Sequence, residues 1–384
     1  MTIEKSLSLN IYTPFYYVTS ANSQTRLATC YCKRLHLLYR LRYCEADLRR
    51  SIVFILWLIC MIKAALADDS TQFAQKLDEA KDYLTVNPAH SLVILDSLEG
   101  LSTAPVDLYI QWHLLNARAS VPTNQQDRLY DSINAVFAHS HTVTFKANLP
   151  TVLSALGIWL RHQEYLQDAE MSLECAYKYA KNDRQRLSLM NSIALLARNQ
   201  NRYQKARNIY HKARQLAIEL KQTPILAMLE SNLGSLALDQ GKVPEAEQYF
   251  RSALLGYQAI DKRAGQISAG INLMFVILIQ KHIVNYERLQ GPTSTLTNAF
   301  PNVAKQAWLQ WLEARYRQLE GEIISQATRD ELQVAYTQLE SDKVKILVHR
   351  YLAKELSVDI IAPQPITEKS FSSSWFAKVK RCQW

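Results

Sequence analysis

Glycine and proline are both scarce in this sequence, with nine glycines and eleven prolines among 384 residues. An all-β fold uses these residues in its many turns, and a phosphate-binding loop is built from closely spaced glycines. The scarcity therefore argues against both and predicts long helices joined by short connections. Hydrophobic residues make up 48% of the chain and charged residues 21%, a mixture typical of a folded globular protein.

Sequence patterns of catalysis and metal binding are also missing. The sequence has no glycine-rich phosphate loop, no metalloprotease helix motif, no paired CxxC and no serine nucleophile elbow. His139 and His141 form an isolated HxH pattern, but on a helix their side chains would point about 200° apart and could not share a metal ion. We therefore expect a binding protein that is not an enzyme and needs no cofactor or metal. An enzyme with an unfamiliar site is the alternative.

The N-terminal part of the chain differs in character from the rest. Residues 48–67 have the order of a secretory signal peptide: two arginines, an eleven-residue apolar run and a small-residue cleavage site. Residues 1–47 show no clear period, and we expect a non-native or unstructured extension there, with synthesis beginning near Leu48. The alternative is an inner-membrane anchor through residues 51–67, although its apolar run is shorter than the roughly 20 residues that span a bilayer.

Cleavage before Asp68 would change both the charge and the cysteine content. The whole chain carries a net charge of +9, but nine of its 44 Lys/Arg and three of its 35 Asp/Glu precede Asp68, which leaves a net charge of +3. That charge gives no reason to expect nucleic acid as a partner. Only Cys175 and Cys382 would remain of six cysteines, and the sequence leaves open whether they pair. We expect a bacterial periplasmic protein.

Three segments repeat one pattern of small and large residues. They are Leu153–Ala176, Met190–Ala213 and Glu230–Ala253, at offsets of 37 and then 40 residues. Each half of a segment has apolar residues at helical spacing, and one helix pair cannot bury its apolar face without neighbours. The recurring positions are Gly157, Ala194 and Gly234; Ala169, Ala206 and Ala246; Leu173, Tyr210 and Phe250; and Ala176, Ala213 and Ala253.

This pattern resembles the tetratricopeptide repeat family, in a variant whose period is longer than the family's usual length of about 34 residues. The resemblance implies an all-α fold, a right-handed α-α superhelix of antiparallel helix pairs. We place degenerate helix pairs at residues 68–145, tetratricopeptide-like repeats at 146–290 and, after a loop, C-terminal capping helices at 303–357. Prolines and serines predict a flexible tail at 358–384.

The resemblance also implies a concave groove lined by the first helix of each pair. Arg161 and Arg198 occupy the same position in successive repeats, so two guanidinium groups would stand in one groove and suit a carboxylate or an acidic peptide segment. The alternative is that both arginines are solvated or paired within the repeats. Carried over by position, the polar groove residues are Arg161, His162, Asn191, Arg198, Asn199, Ser231, Ser235 and Asp239.

The fourth first helix presents an apolar wall to this groove, and an apolar wall of this kind must be covered. We expect the chain's own C-terminal helices, with Trp308 and Trp311, to cover it, and a hydrophobic peptide is the alternative. The residues at the groove positions of this helix are Ser268, Ile271, Phe275, Leu278 and Ile279.

These observations predict an exported scaffold for protein–protein interaction that binds an extended peptide or partner segment in its groove. Neither nucleic acid nor a membrane is an expected partner, apart from contact through an uncleaved signal segment. The alternative function is the sensory part of a truncated bacterial signalling protein of the diguanylate cyclase or histidine kinase type. Such a protein needs a membrane-spanning segment after the repeats, and the sequence has none after residue 300.

Overall fold

A computed structural model describes residues 71–84, 87–364, 367 and 369–384. All regular secondary structure in these residues is helical, which confirms the predicted all-α solenoid. The predicted extension at 1–47 and the predicted signal peptide at 48–67 lie outside the described residues. Lys76–Trp384 forms one compact unit, and none of the helices in the described part is long and apolar enough to cross a membrane.

The described helices follow one another with short connections. Residues 71–83 are helical, and a 3-10 turn and a π-helical turn occur at Leu101–Thr103 and His349–Ala353. The α-helices are α1 (Pro88–Asp96), α2 (Val106–Ser120), α3 (Gln126–Ala138), α4 (Val143–Ala147), α5 (Leu149–His162), α6 (Leu166–Lys178), α7 (Asp183–Asn199), α8 (Tyr203–Glu219), α9 (Thr223–Asp239), α10 (Val243–Ala259), α11 (Arg263–Ile279), α12 (Ile283–Ala299), α13 (Val303–Leu319), α14 (Gln326–Thr337), α15 (Asp342–Val348) and α16 (Phe376–Arg381).

Four consecutive helix pairs form the repeats, which we call R1 (α5 and α6), R2 (α7 and α8), R3 (α9 and α10) and R4 (α11 and α12). Small residues allow the two helices of a pair to approach closely. A Cβ atom added to Gly234 would lie 2.7 Å from the Phe250 ring, and one added to Gly157 would lie 2.5 Å from Cγ of Leu173. The recurring small residues are therefore packing contacts, and the large residues Leu173, Tyr210 and Phe250 are buried against them.

The turn inside each repeat has the same backbone conformation. One residue there is left-handed, and the next N–H donates to a carbonyl at the end of the first helix, as in the Arg202 N to Ala197 O bond of 2.8 Å. This arrangement satisfies carbonyls that the helix end would leave without partners. The left-handed residues are Glu164, Asn201, Gly241 and Lys281.

The second helix of R4 is longer than the sequence indicates. We expected the repeats to end at residue 290 and a loop to follow, but α12 continues to Ala299 with Pro292 inside it. Proline removes one backbone donor and frees the carbonyl four residues earlier. Pro292 lies on the exposed side of α12, where water can satisfy that carbonyl, while Thr293 and Thr297 on the other side are buried.

The C-terminal helices cover the apolar wall of R4, as predicted. Trp308 and Trp311 of α13 are buried in the same core as α11. The Trp308 ring lies edge-on to Phe275, with 5.8 Å between the ring centroids. We call α13, α14, α15 and the turn that follows α15 the cap. The groove wall of R4 is therefore occupied by the chain itself.

The prediction of a flexible tail at 358–384 is wrong for the described residues of that segment. Phe371, Phe376 and Val379 are buried among α3, α5 and α6, and Cys382 forms a disulfide with Cys175 of α6. The prolines and serines of this segment predict flexibility, but its aromatic and apolar side chains pack against the repeats because aromatic rings bury a large apolar surface. We call residues 369–384 the C-terminal strap.

Candidate functional site

The first helices of R2 and R3 carry a buried ion pair between two predicted groove residues. Arg198 of α7 donates from Nε and Nη2 to the two carboxylate oxygens of Asp239 in α9, at 2.7 and 3.0 Å. The Arg198 side chain is 11% exposed and that of Asp239 is 5% exposed. This bidentate pair joins neighbouring repeats, so Arg198 is already neutralised within the fold.

Arg161 has the same position in R1 but a different environment. Its guanidinium group donates to Nε2 of His162 at 2.7 Å, and among the described residues no carboxylate lies within ion-pair distance of it. Burial lowers the pKa of Arg161, and the nearby charge of Arg198 lowers it as well. Burial and the charge of Arg161 lower the pKa of His162 to about 4, so this imidazole is neutral near pH 7 and can accept the hydrogen bond. The two groove arginines are therefore not an equivalent pair.

The cap places two further cations beside the ion pair of Arg198 and Asp239. Nζ of Lys343 in α15 donates to Oδ1 of Asn201 at 2.7 Å and lies 4.0 Å from Oδ2 of Asp239. Arg350, in the turn after α15, donates to the backbone oxygen of Asp239 at 3.2 Å. Burial is the main cause that lowers the pKa of Lys343, and the charges of Arg198 and Arg350 contribute while Asp239 opposes them.

We call Arg161, Arg198, Lys343 and Arg350 the cationic cluster. The last three contact Asp239, and Arg161 lies close enough to Arg198 for their charges to interact. In the described part of the chain, the only ion pairs of these four side chains are those with Asp239. Arg161 and Arg350 therefore have no carboxylate partner among the described residues, and Asp239 balances only one of the four positive charges. Two of the four, Arg161 and Lys343, have a lowered pKa because burial disfavours their charged form.

A buried hydroxyl lies beneath the cluster. Tyr210 of α8 is fully buried, and its hydroxyl makes no hydrogen bond to any described residue. Burial raises the pKa of this phenol, whereas the charges of Arg198 and Arg161 lower it. The hydroxyl therefore lies within the range of electrostatic interaction with both guanidinium groups. The equivalent residues in R1 and R3 are Leu173 and Phe250, so only R2 of these three repeats places a polar atom here.

Of the remaining predicted groove residues, some make hydrogen bonds within the fold and others are accessible to a partner. Asn191 accepts a hydrogen bond of 2.8 Å from Asn232 and joins R2 to R3, so it serves packing. The Ser235 hydroxyl donates to the Ser231 carbonyl of its own helix at 3.1 Å. Asn199 and His162 both keep part of their surface accessible, although the His162 ring is partly desolvated. The structure thus brings Arg161, His162, Arg198 and Asp239 together, whereas Asn191, Ser231 and Ser235 have local roles.

Sequence reasoning missed Lys343 and Arg350. Both follow Asp239 by more than a hundred residues in the sequence, and they reach it only because the cap packs over the apolar wall of R4. No local sequence pattern distinguishes them from other surface cations.

Comparison with known proteins agrees with the repeat geometry. Residues 185–259, which span R2 and R3, match the family model described as tetratricopeptide repeat. This part of the chain therefore has the sequence pattern of tetratricopeptide repeats. No curated protein sequence matches this chain.

The chain is similar to several solved structures at low sequence identity. Aspartyl phosphate phosphatase F from Bacillus subtilis has a TM-score of 0.53 and 12% identity, covering 82% of this chain and 94% of that chain. A Rap protein complexed with competence and sporulation factor has a TM-score of 0.41 and 14% identity, with coverage of 73% and 89%. BtubC from P. vanneervenii has a TM-score of 0.41 and 15% identity, with coverage of 69% and 99%. Only the first score supports an argument, and that argument concerns the tetratricopeptide-like fold alone.

The buried pair predicts a large loss of stability when one partner is removed. Arg198→Ala leaves the Asp239 carboxylate buried without its bidentate partner, and we expect the free energy of unfolding to fall by about 3–5 kcal/mol. Arg198→Leu combined with Asp239→Leu removes both charges and should cost less than the single change. Urea unfolding followed by circular dichroism measures both values.

The exposed pair of Arg186 and Asp183 is the control, because its side chains are 41% and 57% exposed. Arg186→Ala should change the free energy of unfolding by less than about 1 kcal/mol. Equal losses for Arg198→Ala and Arg186→Ala would show that the pair between R2 and R3 does not stabilise the repeats.

Proposed function

We propose that this tetratricopeptide repeat protein is a protein-interaction scaffold that binds an extended acidic segment of a partner in the groove of R1, R2 and R3. The observation that carries the proposal is the cationic cluster, because Asp239 is the only carboxylate of the described residues within ion-pair distance of any of its four cations. The proposed role is binding, without catalysis. The likeness to a protein named a phosphatase concerns the fold, and we transfer no activity from it.

The cluster has a free-energy cost that an anionic partner can offset. Burial disfavours the charged forms of Arg161 and Lys343, and in the described residues Arg161 has no carboxylate partner. A carboxylate from a partner would restore the lost interaction, and a guanidinium group can hold it with two parallel hydrogen bonds. Charged hydrogen bonds of this kind also fix the register of an extended segment, because the donors stand at set positions.

The cap limits where such a segment can lie. Trp308 and the other cap residues fill the wall of R4, which leaves the first helices α5, α7 and α9 for a partner. Packed helices lie about 8–10 Å apart, so three of them span about 20 Å. An extended chain covers this length with about six residues. Lys343 and Arg350 form the cap side of this groove, near the ends of α7 and α9.

We also propose that the protein is exported. The predicted signal peptide at 48–67 and the disulfide between Cys175 and Cys382 support this proposal, because disulfides persist in oxidising compartments. Expression of the full reading frame in a bacterial host, followed by mass spectrometry of the isolated protein, tests it. We expect a mature N-terminus at Asp68 in the periplasmic fraction. Peptides from residues 1–47 in the isolated protein would contradict it.

Binding of acidic peptides tests the proposed groove. We expect a fluorescein-labelled octapeptide rich in glutamate to bind, and a lysine-rich and a neutral octapeptide of the same length to bind far more weakly. Raising the salt concentration should weaken the binding, since exposed charges are screened. Arg161→Gln removes the unpaired guanidinium group and should weaken binding about tenfold, which corresponds to about 1.4 kcal/mol. Fluorescence anisotropy measures these affinities.

Lys212→Gln is the matched control, because Lys212 is an exposed cation of α8 that makes no ion pair with the described residues. This change removes the same charge and should leave the affinity unchanged. If the glutamate-rich and neutral peptides bind equally, or if Arg161→Gln and Lys212→Gln have the same effect, the cationic cluster is not the binding site.

A further inference from the structure

The C-terminal strap returns to the first repeat over more than two hundred residues. In a simple solenoid each repeat contacts only its neighbours, so no contact joins distant repeats to each other. Here Lys369 forms an ion pair with Glu164 at 3.0 Å, and the Phe371 N–H donates to Oδ2 of Asp168 at 2.5 Å. The disulfide between Cys175 and Cys382 then fixes the end of the strap to α6.

The strap sits in an aromatic trough formed by α3, α5 and α6. The Trp375 ring stacks on Phe137 with 3.9 Å between centroids, and its indole N–H donates to Asn134 at 2.9 Å. The Phe371 ring lies edge-on to Trp159 at 5.5 Å. These contacts hold the strap on R1 through side chains as well as through the disulfide.

The buried carboxylate of Asp168, in the trough, is compensated by groups of the strap. Its side chain is only 4% exposed, and Nζ of Lys380 lies 3.6 Å from it in addition to the Phe371 N–H. A buried carboxylate without partners would be costly. Both of its partners among the described residues come from the strap, so the strap supplies the groups that compensate for the burial of this carboxylate.

The strap also connects R1 to the cap. The cysteines are separated by 207 positions, and R2, R3, R4 and the cap all lie between them. Just before the strap, the chain is tied to α14, where Gln333 donates to the Asp359 carbonyl at 2.8 Å and Tyr336 donates to the Ile361 carbonyl at 3.0 Å. The disulfide therefore closes a covalent ring that includes R2, R3, R4 and the cap with its two cations.

We propose that the Cys175–Cys382 bond is a thiol–disulfide exchange site at Cys382 whose opening releases the strap and loosens the cap from the groove. The inference rests in part on the proposed function, because it concerns the regulation of the same groove. Cys175 is 2% exposed, whereas Cys382 is partly exposed near the chain end, so an incoming thiol reaches the Cys382 sulfur first.

The exchange partner is a dithiol. One of its thiolates attacks Sγ of Cys382, the S–S bond breaks, and Cys175 leaves as a thiolate that takes up a proton. The second thiol of the partner then attacks its own sulfur in the mixed disulfide and displaces Cys382, which is protonated in turn. The dithiol is oxidised to a disulfide, and the two cysteines receive its two electrons and two protons.

Amide hydrogen exchange of the full chain tests the release without any partner. We compare the oxidised protein, the protein reduced with dithiothreitol, and Cys382→Ser. Reduction and Cys382→Ser should both raise exchange in residues 369–384, and also in residues 199–203, against which Lys343 of the cap lies. Phe371→Ala weakens the strap without changing a cysteine and should make reduction by dithiothreitol about tenfold faster. Leu255→Ala, at a 67% exposed position on α10, is the control and should leave that rate unchanged.

The glutamate-rich octapeptide then tests the effect on the groove. We expect about tenfold weaker binding to the reduced protein, within the 5- to 150-fold range of typical coupled sites. Exchange at 199–203 that is unchanged by reduction would overturn the inference, as would equal peptide affinity of the oxidised and reduced forms. If no form binds the peptide, the proposed function fails, while the exchange at 199–203 still decides whether the strap holds the cap.

Discussion

The close approach of the two helices in each repeat is the constraint on which the rest of the structure depends. In R1 and R3 a glycine of the first helix faces a large side chain of the second, as Gly234 faces Phe250 with no room for a methyl group. This contact fixes the distance and the register of each pair. Stacked pairs then place the first helices side by side, so that Arg198 in R2 meets Asp239 in R3. The packing of small against large residues therefore determines which charged side chains meet in the groove.

Much of the fold could be predicted because its signals are local and periodic. Ala169, Ala206 and Ala246 recur at helical positions, and all three are fully buried. The long-range features could not be predicted in this way. Whether Arg198 reaches Asp239 depends on the twist between repeats, and the burial of the strap depends on a trough that the sequence does not show as one segment.

The strap gives the groove a property that an open solenoid lacks. Two of the four cluster cations, Lys343 and Arg350, belong to the cap, and the other two, Arg161 and Arg198, belong to R1 and R2. Their relative positions therefore depend on how the two ends of the array are joined. The strap and its disulfide connect these two ends. The cations of the cluster therefore have defined relative positions before an acidic segment binds.

The central claim is that the groove beside the cationic cluster receives the acidic segment of a partner. Site-specific photo-crosslinking in cells that produce the protein tests it most directly. A photoreactive residue replaces Asn199, next to the cluster, or Leu255, which is 67% exposed on α10. We expect a crosslinked partner from position 199 only. The attached peptide, identified by mass spectrometry, should lie in or beside a run of Asp and Glu. A partner captured only from position 255, or a peptide from position 199 without acidic residues, would contradict it.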